Sequence, residues 1–420
     1  MTTLYTFAGG TDGSMPSAGV TADPQGSGTL FGTTAAGGAI GDGTVFKLTP
    51  SGSVPWPKTV LHDFQGGSAD GNQPLGELLI DPNDGTIYGT TFDGGLSFSG
   101  EFFGIGTVFK LKAPVGGGTP WDETIIANFS DPSRDGYHPR GGLIFETGGG
   151  LIGTASVSGQ NNAGVLYLLT PRQSGTDLWH ETPIHFFLPS GSVDGIEPDA
   201  GVATASGLVR GPDDAVYGTT VSGGMDNLGS IYMVKPVAHG WQETLVHSFA
   251  GGNDDGSRPS SSLVVAGDGS LFGTTQTGGI GDNGTVFQFT PVAANQRRWK
   301  QRIIHQFAGS PDDGLQPNSG LVAGSNGAFY GTTFFGGIGG GQGGTCSSGC
   351  GVVFELTPIP GTPRYRERVL HFFTGGADGA RPQGVLVVDK AHGDTLYGTT
   401  EFGGAASGLD GFGTVFRLTH

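Results

Sequence analysis

Residues 396–419 read Leu396-Tyr-Gly-Thr-Thr400, then a Gly-Gly pair, then Gly413-Thr-Val-Phe-Arg-Leu-Thr419. Both ends of this stretch are short, rich in β-branched and aromatic residues and bounded by glycine, the pattern of two strands joined by a loop. The same text returns along the chain. Tyr/Phe-Gly-Thr-Thr occurs six times, and Leu151-Ile-Gly-Thr-Ala155 is a degraded copy. Gly-Thr-Val-Phe is clearest at Gly43, Gly106, Gly284 and Gly413.

Upstream of each copy stands an Asp-Gly-x-x-Pro turn, with its Asp at Asp12, Asp70, Asp135, Asp194, Asp255, Asp313 and Asp378. An apolar segment such as Gly76-Glu-Leu-Leu-Ile80 follows the turn, and a strand such as Thr59-Val-Leu-His-Asp-Phe64 precedes it. The chain is therefore seven copies of a four-stranded unit, each about 45 to 60 residues long, the range of propeller blades. The repeats fall near 4–50, 55–114, 120–171, 178–236, 240–291, 298–358 and 364–420. One such unit cannot cover both of its faces, and radial stacking does so while leaving only short edges. The expected fold is all-β: one closed seven-bladed propeller of four-stranded blades. The apolar segment is the innermost strand A, Tyr-Gly-Thr-Thr is B, Gly-Thr-Val-Phe is C and the His-bearing strand is the outer D. The chain opens on a D strand, Leu4 to Phe7, and ends on a C strand, so the N-terminal strand should complete the last blade.

Composition agrees. The chain holds 83 glycines with no Gly-X-Y period, which excludes collagen. Its formal charge of −17 and lack of a basic stripe argue against nucleic-acid binding. No apolar run approaches the ~20 residues of a membrane span. The opening Met1-Thr-Thr-Leu-Tyr-Thr-Phe7 reads as a strand and not as a signal. Either the protein stays in the cytoplasm, or a targeting segment has been removed. Cys346 and Cys350 suit a local disulfide pinning a long loop. A monomer is expected, with no cofactor; calcium is left open at Asp254-Asp255 and Asp312-Asp313, where no full set of spaced oxygen ligands is present.

These landmarks, Leu-Tyr-Gly-Thr-Thr…Gly-Gly…Gly-Thr-Val-Phe-x-Leu-Thr, resemble the GloVer-type tandem-repeat proteins across essentially the whole chain. That resemblance implies an exported, surface-attached bacterial scaffold. It carries no catalytic residues.

Seven internal copies separate scaffold from site. Trp56, Trp121, Trp179, Trp241 and Trp299 share one repeat position, with Tyr365 in the sixth place, and read as packing. His62, His185, His247, His305 and His371 share another, with Thr6 and Ala127 replacing them, and read as hydrogen-bonded blade residues. The positions flanking the turn proline vary instead. Before it stand Met15, Gln73, His138, Glu197, Arg258, Gln316 and Arg381. In an extended chain residues i and i+2 face the same way, so His138 should point with Arg140, and Glu197 with Asp199, around the channel mouth. Tyr137 or His138 suits a general base, Glu197 and Asp199 form a carboxylate pair, and Arg140, Arg258 and Arg381 suit an anionic sugar. Aromatic loops between strands B and C, with Phe102 and Phe335, suit stacking on sugar rings. The function expected is glycan binding or processing on this face, a lyase or glycoside hydrolase if catalytic. The alternative is a non-catalytic interaction scaffold.

Overall fold

The computed structural model describes residues 1–420 apart from 97–103, 132–134, 158, 160–162, 173–177, 189–194, 199–206, 213, 293–297, 339–345 and 405–410, and of 195–198 it describes the backbone alone. The seven sheets follow the expected order. Blade 1 is Thr21–Ala22, Leu30–Thr34, Thr44–Leu48 and Lys58–Asp63. Blades 2 to 6 span 79–128, 144–186, 209–248, 264–306 and 322–372. Blade 7 is Val387–Asp389, Thr395–Thr400, Thr414–Leu418 and, as its outer strand, Thr2–Thr6. The N-terminal strand thus closes the ring, with Thr2 opposite Arg417 and Thr6 opposite Thr414. In blade 4 the segment Gly195–Pro198 adds to the long strand Val216–Gly223. Among the described residues no helix is long and apolar enough to cross a membrane.

The repeat text explains itself in packing terms. A Cβ on Gly32 would come 2.7 Å from the Phe46 ring, and one on Gly398 2.6 Å from Phe416. The glycine of Gly-Thr-Thr is therefore the floor on which the Gly-Thr-Val-Phe ring lies. The second threonine shares a buried hydroxyl pair with strand C, Thr34 with Thr44 and Thr400 with Thr414, each at 2.8 Å. The first threonine donates across to the next blade, as Thr90 to Gly141 O at 3.1 Å and Thr399 to Ala18 O at 2.8 Å. In blade 3, Ala155 faces Val165, so the hydroxyl pair is replaced as a unit by an apolar one. Packing accounts for that departure.

The core sits between blades. The Phe closing each D strand meets the C-strand ring of the next blade, edge-on in Phe64–Phe109 and Phe7–Phe46, both at 5.2 Å, and tilted in Phe249–Phe287. Such fully buried rings contribute roughly 2–3 kcal/mol each. The tryptophans pack similarly, Trp121 beside Phe31 and Trp179 beside Tyr88. Cys346 and Cys350 form the expected disulfide.

Candidate functional site

Strands alternate direction, so the Asp-Gly-x-x-Pro crossings and the B–C loops open on one face. There the residue before six of the seven turn prolines departs from the extended conformation expected of it, while Glu197 lies in the strand Gly195–Pro198. Met15, Gln73, His138, Arg258, Gln316 and Arg381 all have left-handed backbone, with φ between 55° and 58°. Two hydrogen bonds across the blade boundary hold it. The His138 N–H donates to Ile105 O at 2.9 Å, and its carbonyl accepts from Ser156 N at 3.4 Å. The Arg381 N–H donates to Cys350 O at 2.8 Å, and its carbonyl accepts from Glu401 N at 3.3 Å. Glycine would hold this conformation at least cost. The other non-glycine residues at positive φ among those described are Asp and Asn, the side chains that tolerate it best.

Two clusters stand on this face. At the boundary of blades 2 and 3, the His138 ring stacks on Phe92 at 4.0 Å and 14°. The Arg140 guanidinium lies 4.4 Å from the same ring. His138 Nδ1 is 3.0 Å from Phe92 O and 3.2 Å from Asp93 Oδ1, and Tyr137 lies alongside at 5.9 Å. His138 and Arg140 thus meet as expected, through Phe92 and by a turned backbone instead of an extended one.

At the boundary of blades 6 and 7, the Arg381 guanidinium sits among Phe334, Phe335 and Phe402, at 5.3, 5.4 and 5.3 Å from their centres. Behind it Glu401 is buried and accepts from the Gln383 amide. Burial pushes the Glu401 carboxyl up to about 7, against the pull of Gln383 and Arg381. Sequence reasoning missed Glu401. Its signal was available: at the position after Gly-Thr-Thr the other copies carry Ala35, Phe92, Val221, Gln276 and Phe334.

Arg381 and Phe335 therefore form a centre of their own, and Arg381 does not join His138. The seven-bladed ring sets the two boundaries on roughly opposite sides. Arg258 is exposed on the face between them. Phe102 and Asp199 lie outside the described residues, and of Glu197 only the backbone strand is described. An open groove of about 530 Å³ at the outer edge of blade 7, lined by Thr3, Tyr5, Asp12, Val54, Pro55 and Ala377, shares no residue with either cluster.

Three of the repeated histidines hold the turns in place. His62, His247 and His371 pair with the turn aspartates Asp70, Asp255 and Asp378 at 3.2, 3.0 and 3.1 Å. The aspartate also accepts from its own turn, as Asp255 does from Ala250 N at 2.9 Å and Gly256 N at 2.7 Å. In the first copy Tyr5, not Thr6, takes the histidine's place. Tyr5 opposes Val415 as His62 opposes Val45, and its hydroxyl donates to Asp12 at 2.7 Å. Thr6 instead corresponds to Asp63, opposite a C-strand threonine.

Among solved structures the chain is similar to a candidate 6-phosphogluconolactonase from Bacteroides uniformis, at 12% identity and a TM-score of 0.50, covering 84% of this chain and 83% of that one. It is also similar to a hypothetical selenium-binding protein from Sulfolobus tokodaii, at 11% identity and a TM-score of 0.49 over 81% and 75% of the two chains. An α-L-arabinofuranosidase from Fusarium graminearum matches at 13% identity and a TM-score of 0.43 over 81% and 91%. The first of these likenesses concerns the fold alone. No curated protein matches. The family described as the Gloeobacter/Verrucomicrobia repeat matches residues 1–208 and again 196–346. Together with seven structural copies of one repeat unit, those matches show that the chain belongs to the Gloeobacter/Verrucomicrobia repeat family.

Proposed function

We propose that this propeller binds an acidic polysaccharide on the Asp-Gly-x-x-Pro face, outside the cytoplasm. One observation carries the reading. A chain with 83 glycines places Met, Gln, His, Arg, Gln and Arg at six left-handed positions where glycine would serve the fold better. Holding a non-glycine residue there costs on the order of 1 kcal/mol, and side chains kept at that cost on an exposed face have a use. Their chemistry suits an acidic sugar. A guanidinium bordered by rings presents the planar N–H fork that grips a carboxylate, and the rings offer faces for a pyranose. The His138–Phe92–Arg140 cluster supplies a second contact for an extended chain. Cleavage, as by a lyase or glycoside hydrolase, would draw its acid or base from His138, Tyr137, Glu197 or Asp199, to which Glu401 is added.

A second reading, a non-catalytic scaffold for a partner protein, is favoured by a different observation. Ile40, Leu96, Met225, Ile280 and Ile338 stand on B–C loop tips of the same face and are 57%, 53%, 72%, 67% and 62% exposed.

The deciding experiment is a panel of acidic and neutral polysaccharides, read for binding and for chain cleavage. Wild type should bind an acidic member, and Arg381→Gly, which keeps the backbone conformation, should weaken it at least tenfold. Clean negatives across the panel would overturn the glycan reading in favour of the scaffold.

A further inference from the structure

The residue two after each blade tryptophan, on strand D, reaches back to the turn aspartate of the preceding blade. In two described copies it brings a donor. Lys58 Nζ lies 2.8 Å from Asp12 Oδ1, and Gln301 Nε2 donates to Asp255 Oδ1 at 2.5 Å. In four others it is a carboxylate, Glu123, Glu181, Glu243 and Glu367, and between blades 5 and 6 Glu367 stands beside both Asp313 and His305. The buried Glu367 Oε1 has no hydrogen-bond partner, and His305 Nε2 sits 3.3 Å from Asp313 Oδ2. Unsatisfied buried polar atoms ask for an explanation, and a missing ion is one.

We propose that His305, Asp313 and Glu367 bind a divalent transition-metal ion of the zinc class, which clamps blade 5 to blade 6. One ligand atom from each residue lies within 4.8 Å of the other two, and an ion with bonds of about 2.0–2.2 Å would draw them to about 3.5 Å apart by small side-chain rotations. Two carboxylates and a neutral imidazole bring a charge that a divalent cation balances. The imidazole selects zinc-like ions over calcium and magnesium, which prefer shells of oxygen. Asp313 is already oriented: Ala308 N donates to Oδ2 at 2.7 Å and Gly314 N to Oδ1 at 2.6 Å, the kind of outer support that metal-bound carboxylates receive. Three protein ligands leave the fourth tetrahedral position to water. The ligands come from strand D of blade 5, from the crossing that follows it and from strand D of blade 6, so the ion would tie the outer strands of two neighbouring blades together.

The test uses the untagged full chain, stripped with EDTA and titrated with zinc chloride by calorimetry at neutral pH, with thermal unfolding followed in parallel. Wild type should take up one ion at this site with a Kd of micromolar or tighter, and its unfolding temperature should rise with zinc. Glu367→Gln should lose that site, or bind it at least tenfold more weakly, while folding normally in EDTA, because glutamine there reproduces the Gln301–Asp255 contact. His305→Ala should lose it as well. The same zinc uptake in wild type and Glu367→Gln, or no uptake in wild type, would overturn the proposal. Equal uptake of magnesium or calcium would overturn the choice of ion.

Discussion

The Pro382 ring stands where a Cβ on Gly351 would go: that atom would lie 2.7 Å from Pro382 Cδ and 2.3 Å from Thr333 O. Gly351 opens strand C of blade 6, Pro382 leads into strand A of blade 7, and Gly351 has φ +97°. The same Gly–Pro contact joins Gly43 to Pro74 and Gly413 to Pro16, so it is a recurring contact between neighbouring blades. Gly351→Ala combines backbone strain with an overlap against rigid atoms and should cost about 2–4 kcal/mol. Gly26→Ala, at φ +79° with nothing within 4 Å, should cost only about 1 kcal/mol. Denaturant unfolding of the two variants checks the contrast, and equal costs would remove the steric account.

Gln316→Gly relieves left-handed strain and adds conformational entropy to the unfolded chain, which offsets part of the gain. The net effect should be a stabilisation of roughly 0.5–1 kcal/mol. A loss of stability in urea unfolding would mean that the Gln316 side chain packs, and would weaken the argument that these positions are kept for binding.

Burial raises the carboxyls of Glu401 and Glu123 to about 7, and for Glu123 the nearby Asp70 adds to it. A carboxyl whose folded pKa lies above its unfolded value stabilises the fold most below the unfolded value, near 4.5, and loses that contribution as pH rises through about 7. Stability should therefore fall between pH 5 and pH 8 by on the order of a few kcal/mol. Glu401→Gln combined with Glu123→Gln should reduce that slope. Unfolding temperatures recorded in steps across this range decide it, and an unchanged slope in the double variant would place the titration elsewhere.

The Cys346–Cys350 bond closes a loop with a sequence separation of 4. The chain-entropy relation gives a loop this small only about 2 kcal/mol. The double variant Cys346→Ser, Cys350→Ser should fold and unfold earlier by that amount. Wild type should resist thiol labelling until reduced; two thiols that label without reductant would contradict the bond.

The sequence by itself determined the number of blades, the order of strands within them, the closure by Thr2–Thr6 and the cysteine pair. All of these follow from local text and its phase: a strand pattern recurs, a turn punctuates it, and the first and last copies are out of step by one strand. Tertiary structure decided the rest, because the deciding partners are distant in sequence. Extended geometry before proline is the local preference, yet His138 turns left-handed because its N–H is claimed by Ile105 O in the preceding blade and its carbonyl by Ser156. Nothing near Arg381 in the chain announces Phe334 and Phe335, which arrive from the loop of blade 6. The histidines were read as hydrogen-bonded from their repetition, but which aspartate each meets, and that Glu367 comes beside His305 and Asp313, depends on how neighbouring D strands stack. A repeat specifies its own blade; the contacts between blades exist only once the ring has closed.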